Sequence, residues 1–266
     1  MTLLPDSACF LPNQSEAARA ADYPYGAPEG AFILDRGQLY QFDDAAVLTG
    51  RTAVLSVGSN RVPVQLRRKF GDAAVVPVTP AILHDCDIVH NAAISYYGAV
   101  SCTAFPSKGT DVLLNVAWLD EEQLAIMHTT EAVGIAYDFI RFFNGVVGHL
   151  PVPAAGGDIV AAAQPVYGYA SCSGVLDAGG GQPAGLAAIG ARHRRFQTLS
   201  QGSSAALIKA RTGAAADMPT EGFIAGLVAD PSARQELNRM LADAALHADG
   251  PWQTQTVTSD AANQYL

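Results

Sequence analysis

The chain has 266 residues, 49 % hydrophobic and 15 % charged, against about 25 % charged in an average globular chain; wholesale disorder is excluded, and the length suits one large domain or a domain with extensions. Sixteen basic and 25 acidic side chains give a net charge of −9, which opposes general attraction to phosphate backbones and argues against a nucleic-acid binder. Cys9, Cys86, Cys102 and Cys172 are too dispersed for a disulfide framework or a zinc ribbon and read as reduced thiols.

At the N-terminus, MTLLPDSACFLPN lacks a basic n-region and is broken by Pro5 and Asp6, so no secretory signal is expected. The most apolar stretch, Val133 to Val152, contains Asp138, Arg141 and Asn144, which argues against a membrane span. A soluble cytoplasmic protein is the expectation. Residues 1–50, rich in Pro, Gly and Ala, read as an N-terminal arm with two short strands at Ala31–Leu34 and Gln38–Phe42. TAVLSV, from Thr52, predicts a strand that ends at Gly58-Ser59-Asn60, and the spacing of Leu66 and Phe70 predicts a short helix over 64–70.

Ile82–Tyr97 and Asp111–Leu119 are predicted strands, with Pro106-Ser107-Lys108-Gly109 as the turn between them. Asp120 starts a helix, and Gln123 three residues on completes a capping box. Leu124, His128 and Glu131 then share one helix face. Further strands are expected at Tyr137–Phe143 and Val166–Ser173, followed by a Gly-rich loop over Asp177–Gln182 and a hairpin at Ala184–Ile189. Beyond residue 200 the pattern is helical: Ser204–Arg211, Thr220–Ala229 and Ser232–His247, the last with Ser232 and Gln235 as a capping box and a stripe of Leu237, Met240, Leu241 and Ala244. Strands before helices indicate an α+β fold.

Four groups of residues invite chemistry. Gly58-Ser59-Asn60 sits where free amides between a strand and a helix can cradle a carboxylate or another anion; a plain strand-to-helix turn capped by Asn60 is the competing reading. Glu131, at the end of an amphipathic helix, becomes a general acid/base if buried, or a solvent-facing carboxylate if not. His84, Cys86 and His90 share strand parity and could ligate a metal, although no fourth ligand is evident, and ordinary strand residues are the alternative. Arg192-His193-Arg194-Arg195 either meets an acidic ligand or forms a solvated strand end. Ser171-Cys172-Ser173-Gly174 lacks the spacing of a nucleophile elbow, and neither a dinucleotide nor a P-loop pattern occurs.

Taken in order, the strand, Gly58-Ser59-Asn60, the helix with Gln65-Leu66-Arg67-Arg68, Tyr97-Gly98-Ala99, Pro106-Ser107-Lys108-Gly109, Leu124 to Glu131, Tyr137-Asp138-Phe139-Ile140-Arg141 and Val166-Tyr167-Gly168-Tyr169 resemble the γ-glutamylcyclotransferase-like family over residues 52–173. Val57, His128 and Ala132 stand where that family has Tyr, Asp and Gly. The resemblance implies a small mixed β-barrel over residues 51–200, with the N-terminal arm before it and a helical extension over 201–266 after it. It implies Glu131 as the catalytic acid/base, and Val57, Gly58, Ser59, Asn60, Tyr97, Gly98 and Tyr137 as the substrate-binding set. The implied reaction cyclises a γ-glutamyl amide or peptide to 5-oxoproline with release of an amine, and no metal or cofactor is implied. A non-catalytic or small-molecule-binding protein of the same fold is the alternative. The Leu237/Leu241 stripe needs cover, and a homodimer through the C-terminal helices is one way to supply it.

Overall fold

The computed structural model describes residues 2–5, 7–11, 13–154, 157–159, 164–214 and 217–257, so 258–266 of the extension, and Asp6 of the N-terminus, lie outside the described residues. In chain order the elements are α1 (Glu16–Ala21), β1 (Phe32–Asp35), β2 (Gln38–Gln41), β3 (Thr52–Ser56), α2 (Pro63–Phe70), β4 (Val75–Ile94), β5 (Val100–Leu119), α3 (Glu121–Thr130), β6 (Tyr137–Phe142), β7 (Val147–His149), β8 (Val166–Ser171), β9 (Asp177–Gly179), β10 (Gln182–Pro183), β11 (Gly185–Leu186), β12 (Ala191–Arg192), β13 (Thr198–Leu199), α4 (Gln201–Arg211), α5 (Thr220–Ala229), α6 (Pro231–Asp243) and β14 (Trp252–Thr254). No helix among the described residues is long and apolar enough to cross a membrane.

The fold is mixed α and β around one large mixed sheet, with the path β13-β11-β4-β5-β3-β8-β6-β14 and with β1, β2, β7 and β12 as side branches. Pairs β3/β8 and β11/β13 are parallel and the others in that sheet antiparallel. The two ends of the path, β13 and β14, do not pair with each other, so the described strands form an open sheet rather than the closed barrel that the sequence resemblance implies.

Its spine is the hairpin of β4 and β5, paired from Val78↔Ala117 to Ile94↔Val100. The reversal lies at Ser95–Ala99, where the Gly98 amide donates to the Ser95 carbonyl at 3.0 Å and the Ala99 amide to Ser95 Oγ at 3.0 Å. Gly98 has φ +95, and a Cβ there would stand 2.7 Å from Ile224 of α5, so both backbone and space call for glycine. Pro106–Gly109, read as a turn, lies inside β5 beside a register shift between His84 and Cys86, where Asp85 Oδ1 accepts the Gly109 amide at 2.7 Å. Turn-forming residues and a β-bulge have the same local signature, and the partner strand decides between them.

The bulge also takes apart the conceivable metal set. His84 Nδ1 is paired with Asp111 Oδ1 at 2.7 Å, whereas fully buried His90 places its ring nitrogens 3.4 and 3.0 Å from the Val100 and Leu199 carbonyls. No cluster of three His, Cys, Asp or Glu suited to a metal occurs among the described residues.

Helices α4, α5 and α6 pack on the tip of the hairpin, where Leu237 and Leu241 are buried with Ile94, Val100, Leu176 and Ile208. Leu237 and Leu241 of the stripe are therefore covered within this chain, while Met240 stays exposed. Two side-chain amides fasten the contact by satisfying backbone groups at the strand ends. Asn238 accepts from the Ile94 amide at 2.8 Å and donates to its carbonyl at 3.0 Å; Gln201 does the same for Val100, at 3.0 and 2.8 Å. The N-cap of α6 is Asp230, accepting from Ser232 and Ala233 at 3.0 Å each, and not Ser232 as the sequence pattern indicates. Arg194, read as part of a solvated strand end, is instead held against fully buried Asp87.

Candidate active site

Below the open end of β3 lies a cavity of about 1280 Å³. Its walls come from the loop after β3, helix α2, the C-terminal end of α3, the first residue of β6, the tip of the β4/β5 hairpin and the N-terminal arm. Stretches far apart in sequence thus meet at one place.

Glu131 is the C-cap of α3, whose start is fixed by the reciprocal capping box between Asp120 and Gln123, so its position follows from ten helical residues laid down in register. Its side chain is 14 % exposed. Oε1 accepts from Asn60 Nδ2 at 3.0 Å and from Lys69 Nζ, which is itself 6 % exposed and stands 3.2 Å from Met127 Sδ. The solvent-facing alternative for Glu131 does not hold. Lys69 gave no sequence signal as a site residue because it lies in a basic run, Arg67-Arg68-Lys69, that reads as a solvated helix end.

Val57, Gly58, Ser59 and Asn60 all line the cavity, with Ser59–Arg61 forming a single 3-10 turn between β3 and α2. The Asn60 Oδ1 acceptor is buried and has no partner among the described residues, leaving it available beside the Glu131 carboxylate. Gly58 is the tightest point of the loop. A Cβ there would collide with the Tyr23 hydroxyl and come within 2.9 Å of Cys102 Sγ. Tyr23 Oη lies 3.2 Å from Cys102 Sγ, which in turn donates to the Val57 carbonyl at 3.5 Å. Thus a tyrosine of the N-terminal arm packs its hydroxyl against Gly58, next to the position where Val57 offers none. Gly58→Ala is expected to push Tyr23 and the loop apart, costing about 1–3 kcal/mol, and a chemical-denaturation curve measures the loss.

Tyr137 and Tyr97 are also wall residues, and both are held in place by other groups. Tyr137 Oη accepts from Asn91 Nδ2 at 2.7 Å and donates to the Cys102 carbonyl at 3.4 Å. Burial, then the nearby Glu131 charge, raises its pKa above the ordinary phenol range, so it stays a neutral donor. Burial likewise pushes the Cys102 thiol up to about 12, which leaves it unreactive as a thiolate. Tyr97 lies under the Arg19 guanidinium, 4.8 Å from ring centre to cation. Gly98 is placed elsewhere: it faces Ile224 and Val228 of α5 and is absent from the cavity lining.

His128, one turn before Glu131, is outside the lining and is held by Tyr169 Oη at 2.9 Å and the edge of Phe139 at 4.5 Å. Burial lowers its pKa, so it is neutral near pH 7 and adds no charge to the site. Tyr169 itself lines the cavity and has its pKa raised by burial first and Glu131 second.

No known family model matches the chain, and no curated protein matches it. Two solved structures have partial likenesses. One is an uncharacterized protein from Homo sapiens, 14 % identical, covering 66 % of this chain and 86 % of its own, with a TM-score of 0.32. Another is described as a gamma-glutamyl cyclotransferase, 13 % identical, covering 65 % of this chain and 86 % of its own, with a TM-score of 0.30.

Proposed function

We propose that the cavity binds a γ-glutamyl amide and that Glu131 catalyses its cyclisation to 5-oxoproline. The observation that carries this reading is that Glu131 and the Gly58-Ser59-Asn60 loop, 71 residues apart between Asn60 and Glu131, line the same cavity and are joined by a hydrogen bond. A buried carboxylate beside a strand-to-helix loop is the arrangement needed to hold an amino acid end and move one proton.

In this reading the loop amides at Ser59 and Asn60 take the ligand α-carboxylate, and the unpartnered Asn60 Oδ1 accepts from its α-amino group. Glu131 removes a proton from that nitrogen. The nitrogen attacks the γ-carbonyl carbon, the new C–N bond closes the five-membered ring, and the amide C–N bond breaks. Glu131 then returns the proton to the departing amine, so no water is consumed. Because attack is intramolecular, holding the reactive conformer supplies much of the acceleration. Lys69 balances the Glu131 charge while the site is empty of ligand.

A second reading, a binding protein without turnover, is favoured by that same ion pair, since Oε1 already takes two donors. Incubating the purified protein with a panel of γ-glutamyl amines and peptides and assaying 5-oxoproline separates the two. Release is the expected result; saturable binding with no release anywhere in the panel supports the second reading instead.

A further inference from the structure

Glu131 is the one carboxylate among the described lining residues, whereas Lys69, Arg68 and Arg19 all line the cavity. The two oxygens of Glu131 are used unequally: Oε1 takes both Asn60 Nδ2 and Lys69 Nζ, and no donor reaches Oε2 among the described residues. Because Asn60 Nδ2 is committed to a carboxylate, the orientation of its amide is fixed and the buried Oδ1 is the atom left over. A ligand nitrogen held by Asn60 Oδ1 and Glu131 Oε2 then lies roughly 6 Å from Lys69 Nζ, since both touch the same carboxylate. Lys69 is shut off from water: its ammonium end rests on Met127 Sδ at 3.2 Å, with Glu131 as its counter-ion. The titratable groups packed around this pair add no second negative charge. Cys102 of β5, Tyr137 of β6, Tyr169 of β8, Tyr97 at the hairpin tip and Tyr23 of the arm all have their pKa raised, by burial first, and stay protonated near pH 7. His128 on α3 is neutral, and Arg61 of the loop adds a further cation close to Cys102.

We propose that Lys69 is a positioning residue of this site: its charge, shared with the Glu131 carboxylate, drives a bound α-ammonium to give up one proton to solvent, so that the ligand nitrogen faces Glu131 Oε2 as a neutral amine. The proposal rests on the γ-glutamyl reading for the identity of that nitrogen. An α-ammonium entering the site is a second cation on one carboxylate, and like charges that close disfavour the charged form. An α-amino group is a weaker base than a lysine side chain, so the ligand yields its proton and Lys69 keeps its own. Turnover then balances. An α-ammonium sheds two protons to become the lactam N–H: the first leaves to solvent on binding, and Glu131 carries the second to the departing nitrogen, which takes up one more from water after release. Lys69 and Asn60 also settle which oxygen does this, because they occupy Oε1 and leave Oε2 to the ligand.

Calorimetric titration near pH 8, in two buffers of different ionisation enthalpy, counts the protons released on binding. The probe is L-methionine sulfone, which carries the α-ammonium and α-carboxylate of a γ-glutamyl group but no acyl carbon to cyclise. The unmodified protein is expected to release about half a proton or more per bound probe, and Lys69→Met and Lys69→Gln about a third of that or less. Lys69→Gln keeps a donor for Glu131, Lys69→Arg should restore the release, and thermal melting checks the fold of each variant. The analogue 4-(methylsulfonyl)butanoate, which lacks the amine, should release none. In turnover of a γ-glutamyl amide, the acid limb of the kcat profile should move up by about one pH unit in Lys69→Gln with its plateau kept, whereas a merely structural role lowers the plateau and leaves the limb in place. Binding of the sulfone without proton release, equal release from the unmodified protein and the uncharged variants, or equal release with the amine-free analogue overturns the proposal and leaves the γ-glutamyl reading standing. If neither the sulfone nor any γ-glutamyl amide binds, that reading fails and the proposal falls with it.

Discussion

Glu131→Gln is expected to lower 5-oxoproline release by about 10²–10⁴-fold, the range over which a positioned acid/base contributes. Glutamine keeps the length of the side chain and an oxygen to accept from Asn60 Nδ2, so the fall in rate reports the proton step rather than a lost contour of the cavity. One complication is built into the site. Lys69 is 6 % exposed, and removing the charge opposite it leaves a buried cation unpaired, which costs several kcal/mol in folding. The Glu131→Gln/Lys69→Met double variant separates the two effects. It should recover most of the stability in a urea titration and none of the turnover. A double variant that regains activity would mean that Glu131 acts through Lys69 and not on the substrate, and full activity in the single variant would remove Glu131 from the chemistry.

The second large effect lies outside the cavity. Asp87 has no exposed side-chain surface, and its carboxylate takes Arg194 Nε and Nη2 at 2.9 and 2.8 Å. Arg194 Nη2 also donates to the Ile189 carbonyl at 2.7 Å, tying the segment after β11 to the middle of β4. Arg194→Met is expected to destabilise the protein by about 3–5 kcal/mol, because it strands a buried charge and frees a carbonyl at once. Pairing it with Asp87→Leu should return a large part of that loss, since a buried ion pair is worth little more than well-packed apolar groups of similar volume. Equilibrium unfolding of the four proteins of this cycle measures it, and a loss below about 1 kcal/mol in Arg194→Met would show that water reaches Asp87.

Several elements were legible from residues alone because their signals are local. The box between Asp120 and Gln123 fixed the start of α3 and thereby where Glu131 falls. The β-rich run from Thr52 followed by Gly58-Ser59-Asn60 and Leu66/Phe70 marked β3, the loop and α2. Where two structures share one local signature, the residues could not decide. Pro106–Gly109 served a bulge inside β5 while the reversal fell at Ser95–Ala99, and Asp230 displaced Ser232 as the cap of α6. β14 carried too short a pattern, Trp252–Thr254, to stand out before β6 offered it an edge.

Capping, periodicity and glycine act over a few residues, so residues alone marked which segments could be strands and helices and put a carboxylate at the end of one helix. Tertiary structure decided that the sheet stays open among the described strands, that Leu237 and Leu241 are covered by this chain's own hairpin tip, and that Glu131 is buried against Lys69 and Asn60. It also decided what surrounds the site: Tyr23 and Arg19 arrive from the N-terminal arm, in a part of it that carries no signal for a site. Burial and charge pairing are properties of the space between segments, and that space exists only once long-range contacts have formed.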